Sequence, residues 1–240
     1  MTQQTLIPDQ EKSQLKRTFR KDLKADVHLR LFTQRPSPIA VPGGECRYCL
    51  QTQQMLEELA ALSPKVHLET IDILAQPEMA LEEGITKVPT IAFGAKDGAK
   101  NGPKLRFVGI PMGYQMAVVI ENIRTISRGV SPLSMDTRKK LRQINQPVHI
   151  QVFVTPSSAQ CPSVARLAHA LALENQNITA DVIEIEEFTA LGQRYGVRSV
   201  PLTVVNELTQ IAGVVTESEF VEKIIQCGVR EQADSAPLQA

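Results

Sequence analysis

Tryptophan is absent from the 240 residues, and aromatic side chains make up only 4% of them. So small a supply excludes a stacking platform for single-stranded nucleic acid as the main role of the chain. A surplus of either charge is missing too, because 26 Lys and Arg balance 26 Asp and Glu. Bulk binding to nucleic acid or to an anionic membrane surface wants a concentrated basic excess, so neither partner is expected. No apolar run approaches the ~20 residues that span a bilayer. Met1 to Pro8 offers neither the basic flank nor the apolar stretch of a secretory leader, which points to a cytoplasmic setting. Cysteine is scarce, and four in this length cannot staple an extracellular scaffold. What is present is length, with 42% hydrophobic residues, enough for one large domain or for two domains of about 100–120 residues each.

The sequence repeats itself. Gly84-Ile85-Thr86-Lys87-Val88-Pro89-Thr90-Ile91-Ala92-Phe93 returns 112 positions later as Gly196-Val197-Arg198-Ser199-Val200-Pro201-Leu202-Thr203-Val204-Val205. Val27-His28-Leu29-Arg30-Leu31-Phe32 returns 121 positions later as Val148-His149-Ile150-Gln151-Val152-Phe153. The two offsets differ by nine, so the first half carries nine extra residues between its strand and its Val-Pro. Turn formers such as Pro36, Pro38, Pro42, Gly43 and Gly44 place them in Gln34–Glu45.

Periodicity then predicts the elements. Asp9 caps a helix with Leu15, Phe19 and Leu23 at four-residue spacing, followed by a strand over 27–33. A helix runs from about Cys46 to Leu62, a strand over Val66–Ile73 and a short helix near Glu78–Glu83. Strands at Thr90–Phe93 and Leu105–Val108 turn through Asp97-Gly98 or Asn101-Gly102, and a last helix lies near Tyr114–Ile126. The second half repeats this order from Ser134 to Cys227, with Ser127–Pro132 as the joint. The expected divisions are 1–128, 129–230 and a disordered tail over 231–240. Each half is β-α-β, α, a β-hairpin and α, an α/β sandwich.

Cys46-Arg47-Tyr48-Cys49 carries the chemistry. Two cysteines three positions apart at a helix start lie one turn apart, within reach of a disulfide. The positive end of the helix dipole and the Arg47 cation stabilise a thiolate. Cys46 is the candidate attacking thiolate and Cys49 the candidate resolver of a mixed disulfide. Half a zinc site is one alternative, but Cys161 and Cys227 lie 66 residues apart and form no second pair, so no metal is expected. Buried, unreactive cysteines and a Cys/His hydrolase are the others. Val88-Pro89 lifts the redox reading, since a proline after a β-prone residue and just before a strand suits a cis peptide. Pro89 follows Cys46 by 43 residues, and 43 residues before Pro201 stands Ser158. The second quartet is therefore Ser158-Ala159-Gln160-Cys161. It lacks the first sulfur, so it cannot cycle a disulfide within itself.

These motifs resemble the protein disulfide oxidoreductases of archaea and bacteria, glutaredoxin-like proteins built from two fused thioredoxin folds. The resemblance runs from about Asp9 to Gly228. Besides Cys46–Cys49 and Val88-Pro89, it includes Phe107-Val108-Gly109-Ile110-Pro111-Met112-Gly113 and Val152-Phe153-Val154-Thr155-Pro156. Ala165-Arg166-Leu167-Ala168-His169 and Ala172-Leu173-Glu174-Asn175 complete the set. It implies two tandem thioredoxin-like folds, each a mixed sheet flanked by helices, with cis prolines at Pro89 and Pro201. It implies thiol–disulfide exchange with disulfide-containing protein substrates, electrons from a thioredoxin-reductase-like flavoenzyme, and no bound cofactor beyond the Cys46–Cys49 disulfide. The backbone of Val88 would pair with the substrate, so Arg47, Tyr48, Val88 and Pro89 are the expected binding residues. Members usually carry a Cys-x-x-Cys in each half. Ser158 and the Gln34–Glu45 insertion depart from that pattern and favour a one-site reductase, with the half containing Ser158, Cys161 and Pro201 as a scaffold or docking domain.

Two other readings stand beside it. One is a redox-sensing binding or chaperone module. The other is a dedicated electron carrier to a peroxiredoxin, resembling the tandem thioredoxin-fold domain of alkyl hydroperoxide reductase flavoproteins. Cys161, Cys227, His28 and His149 are expected to be structural. Of Glu69 and Asp72, on opposite faces of a strand, at most one can face the active helix as a proton acceptor. Gly94–Gly98 lacks the Gly-Lys-Ser/Thr ending of a phosphate loop and reads as a turn.

Overall fold

A computed structural model describes residues 5–35, 46–94 and 104–234. The chain divides into two compact units, Met1–Met112 with Val119–Val130, and Gly113–Val118 with Ser131–Ala240. The division thus falls two residues beyond the expected boundary, and Gly113–Val118 goes with the second unit.

In the first unit the order is α1 (Asp9–Asp22), β1 (Val27–Thr33), α2 (Cys49–Ala60), β2 (Val66–Asp72), α3 (Pro77–Glu82), β3 (Thr90–Gly94) and β4 (Leu105–Val108), with most of α4 (Met116–Arg128). β1 runs parallel to β2 through the α2 crossover and antiparallel to β3, which pairs antiparallel with β4. On one face of this sheet Phe32, Ile71 and Ala92 pack with Ala80 of α3, and Ile85 and Val88 close the cluster. On the other face Val27, Leu29, Leu31, Ile91 and Phe107 are also fully buried. A sheet buried on both faces accounts for the aliphatic runs of its strands.

Asp9 proves to be the first residue of α1 rather than its cap, a place taken by Pro8, whose carbonyl accepts the Lys12 N–H at 2.9 Å. The approach to α1 is tied down by Glu58 of α2, which accepts the Leu6 and Ile7 N–H groups at 3.0 Å each and pairs with Lys12 at 3.0 Å. Burial alone would push this carboxyl up, but those donors and Gln54 outweigh it and hold it at about 2. At the other end of α1, Arg124 of α4 holds Asp22 at 2.8 Å.

The second unit repeats the order with α5 (Met135–Leu141), β5 (Val148–Val154), α6 (Cys161–Glu174), β6 (Ile178–Glu184), α7 (Thr189–Arg194), β7 (Leu202–Val205), β8 (Thr209–Ala212) and α8 (Glu217–Asp234). Its pairing is the same, β6-β5-β7-β8. Between β1 and α2 run 15 residues, and between β5 and α6 only six, so the nine-residue insertion lies where the offsets put it. Its residues 36–45 lie outside the described residues, as do the Asp97-Gly98 and Asn101-Gly102 turns.

Two predicted ends move. Ser127 and Arg128, expected in the joint, are the last residues of α4, which stops at Gly129 (φ +64°), whose N–H reaches the Thr125 and Ile126 carbonyls at 3.1 Å. Residues 231–234, expected in the tail, belong to α8. The helix runs on through Gly228, because the good helix formers Arg230, Glu231, Gln232 and Ala233 come after it.

Candidate active site

Cys46 and Cys49 form a disulfide, with their Cα atoms 5.5 Å apart. The helix expected to open at Cys46 opens at Cys49, because Tyr48, at φ −117° and ψ 7°, is off helical values and serves as the N-cap. Its carbonyl accepts the Thr52 N–H at 2.9 Å. The pair is asymmetric, with Cys46 half-buried ahead of α2 and Cys49 buried as its first residue. Arg47 is exposed and stacks its guanidinium over the Tyr48 ring, 5.0 Å from the centroid. No acidic residue stands in the first turn of α2 to oppose a thiolate.

The end of β1 lies opposite the start of β3, the strand that follows Val88-Pro89. Phe32 pairs with Thr90. The Gln34 N–H lies 3.4 Å from Cys49 Sγ, which ties the end of β1 to the second cysteine. The Val88–Pro89 peptide is cis. The Lys87 carbonyl accepts the Thr90 hydroxyl at 2.7 Å and the Pro89 carbonyl accepts the Gly109 N–H at 2.8 Å. Sequence reasoning missed Gln34 and Gly109 as site residues. Gln34 was visible only as the first residue after the β1 strand, and Gly109 only as part of a longer motif.

Asp72 is buried and Glu69 exposed, so the strand alternation resolves that pair. Asp72 closes the turn after β2 by accepting the Leu74 N–H at 3.0 Å, with Arg35 at 3.6 Å. His28 stacks on His67 at 4.8 Å, and His149 Nε2 meets Asp181 at 2.8 Å.

In the second unit Cys161 is buried, free and the first residue of α6, matching Cys49, and Cys227 is also buried and free. Val200–Pro201 is cis, and the Pro201 carbonyl accepts the Gly213 N–H at 2.9 Å. Ser158 is half-buried in the turn before α6, its N–H 3.4 Å from the Thr155 carbonyl. Gly113-Tyr114-Gln115 lies on that turn. The Tyr114 N–H donates to the Pro156 carbonyl at 3.0 Å, and the Gln115 amide to the Thr155 carbonyl at 2.8 Å. Among the described residues no cluster of His, Cys, Asp and Glu could hold a metal ion, and no helix is long and apolar enough to cross a membrane.

Residues 148–226 match the family model of the thioredoxin domain. A protein disulfide oxidoreductase from Aeropyrum pernix K1 superposes with a TM-score of 0.83 at 25% identity, covering 93% of this chain and 94% of that one. The N-terminal domain of alkyl hydroperoxide reductase AhpF from Enterococcus faecalis superposes with a TM-score of 0.79, also at 25% identity, covering 91% of this chain and 99% of that domain. In sequence, an NADH dehydrogenase of Bacillus subtilis is 19% identical over 186 residues, and the F subunit of the Pseudomonas aeruginosa alkyl hydroperoxide reductase 23% over 170. These matches take in 78% and 71% of this chain. The chain spans about a third of the length of these curated relatives, 34% and 30%.

Proposed function

With the chain a thioredoxin-fold protein of the thiol–disulfide oxidoreductase class, we propose that it works as a one-site disulfide reductase through Cys46 and Cys49. The observation that carries this reading is the asymmetry of the pair: a half-buried sulfur bonded to a buried one at the start of α2. In the reduced protein the Cys46 thiolate attacks one sulfur of a substrate disulfide. A Cys46–substrate bond forms, and the other substrate sulfur leaves as a thiolate that takes a proton. Cys49 then loses its proton and attacks Cys46 Sγ. The second substrate thiol leaves, and the Cys46–Cys49 disulfide forms. Two electrons and two protons have passed to the substrate. A dithiol donor, such as a thioredoxin-reductase-like flavoenzyme, restores the pair by the reverse chemistry. Val88 offers its backbone to the substrate chain, with Pro89, Arg47 and Tyr48 bordering the groove. The unit carrying Ser158, Cys161 and Pro201 serves as scaffold or docking domain.

A second reading has specific support. The match to 99% of the AhpF N-terminal domain favours a carrier that takes electrons from a flavoenzyme and hands them to a peroxiredoxin. The site chemistry is the same and only the acceptor differs. Insulin-disulfide reduction by dithiothreitol tests the site. Cys46→Ser is expected to fall to background, a loss on the order of 10³-fold, while Cys161→Ser keeps its rate within about twofold. Loss in Cys161→Ser without unfolding would make Cys161 a relay thiol. An inert wild type that supports peroxide consumption with a flavoenzyme and a peroxiredoxin would select the carrier.

A further inference from the structure

Three side chains far apart in sequence meet beside the segment that leads to Val88. Arg30 of β1 pairs with the Glu83 carboxylate at the C-terminal end of α3. Arg106 of β4 donates from Nη1 to the carbonyls of Glu83, at 3.2 Å, and Gly84, at 3.5 Å. Arg30 and Arg106 lie in one cross-strand row through Ala92. Gly84 sits at φ +64°, and a Cβ added there would stand 3.8 Å from Arg106 Nη1, so the guanidinium lies over the glycine that ends the helix. Burial pushes the Glu83 carboxyl up, and the two arginines oppose that shift.

The second unit has the same construction without charge. Through the repeat offsets Arg30 corresponds to Gln151 and Glu83 to Tyr195. The second hairpin is shorter, and its register sets Gln210 opposite Val204 as Arg106 lies opposite Ala92. Gln151 and Gln210 lie in one row through Val204. Gln210 Nε2 donates to the Tyr195 carbonyl at 2.9 Å, and Gln151 is hydrogen-bonded to the Tyr195 side chain. Gly196 occupies the glycine position at φ +62°. In both units a side-chain donor from the hairpin meets the carbonyl at the end of the short helix, a guanidinium in one and an amide in the other.

In the first unit the segment that follows holds Ile85 and Val88, packed on the cluster of Phe32 and Ala92, and then the cis Pro89. We propose that Arg106 is a positioning residue for the substrate-pairing backbone at Val88, gripping the end of α3 so that Gly84–Pro89 is held in one place relative to Cys46–Cys49. The proposal rests on the exchange reading above and adds to it a residue that touches neither sulfur nor substrate. A misplaced pairing segment weakens the hold on an extended protein chain and leaves sulfur chemistry intact.

The test compares Arg106→Ala, Arg106→Gln, Gln210→Ala and Cys46→Ser, each as the full chain, in insulin reduction and in reduction of a small aromatic disulfide that has no backbone to pair. Arg106→Ala is expected to raise KM for insulin about tenfold with kcat within about twofold, and to leave the small disulfide within about twofold. Arg106→Gln, which restores the donor the second unit uses, is expected to return KM to within about threefold of wild type. Gln210→Ala breaks the equivalent bond where no sulfur pair is served, and leaves KM unchanged. If Arg106→Ala does not fold, Arg106→Met, with the stem kept and the donors removed, takes its place with the same expectation. An unchanged KM, equal losses on both disulfides, or an equal KM rise in Gln210→Ala overturns the positioning role while Cys46→Ser remains inactive. Turnover surviving in Cys46→Ser overturns the exchange reading and this one together.

Discussion

The two units share a frame and differ in one sulfur. Each opens a helix with a buried cysteine, Cys49 or Cys161, and each ends its short third helix on a left-handed glycine, Gly84 or Gly196. Each also enters its hairpin through a cis proline whose carbonyl accepts a glycine N–H. Only the first unit has a cysteine three residues before that helix; the second has Ser158. The shared features are those that satisfy backbone groups or fill the core, and they persist where the pair is incomplete. The residue that differs lies at the half-buried mouth of the site, where a change costs the fold little. The surroundings differ in the same sense: 15 residues separate β1 from α2, whereas the six-residue turn before Cys161 carries Gly113-Tyr114-Gln115 on its carbonyls.

Restoring the missing sulfur should give the largest effect. Ser158→Cys places two cysteines in the frame that joins Cys46 to Cys49 across 5.5 Å between Cα atoms, so a second disulfide is expected on oxidation. The oxidised wild type has two free cysteines, Cys161 and Cys227. The oxidised variant should titrate one thiol in denaturant, and three would show that the second unit cannot close the pair.

A smaller effect is expected from Gly113→Ala. Gly113 has φ +57°, and an added Cβ would stand 2.4 Å from the Pro156 carbonyl oxygen. Both the strain and the clash call for displacement, at about 2 kcal/mol or more by thermal unfolding. Reactivity of Cys161 toward a thiol reagent should rise with it, and an unchanged Tm would mean that the turn tolerates the methyl group.

Glu58→Gln should have the smallest effect and act on the first unit alone, because the matching position in the second is Ala170. There the start of α5 is secured instead by Glu217, which accepts the Ser134 N–H at 3.0 Å. The Glu58 carboxyl is depressed from 4.5 to about 2, so its contribution is fully present above pH 4.5 and fades as pH falls toward 2. With screening allowed for, the variant should lose about 1–2 kcal/mol at pH 7 and converge with wild type near pH 2. Hydrogen exchange should show the loss in β1 and leave β5 alone.

Much of this was legible in the chain itself. Alternation placed β1 to the residue and the start of β5, and the offsets of 112 and 121 located the insertion, the second proline and the incomplete quartet with no tertiary information. Periodicity and offsets are local counts, and side-chain direction in a strand comes from them directly. Helix ends were less legible. Cys46 falls outside α2, Ser127 and Arg128 inside α4, and 231–234 inside α8, because an end is settled by whichever carbonyl or donor is at hand.

Composition, repeat and quartet were thus enough to determine a two-unit α/β chain with a complete sulfur pair in one half only. Tertiary structure alone decided which sulfur is reachable, that Gln34 touches Cys49, and that Gly113 lies on the turn before Ser158. It also brought Arg30, Glu83 and Arg106 together across separations of 53 and 23 residues. Such contacts exist only once sheet register has been set by burial of both faces, and no window of sequence contains both partners.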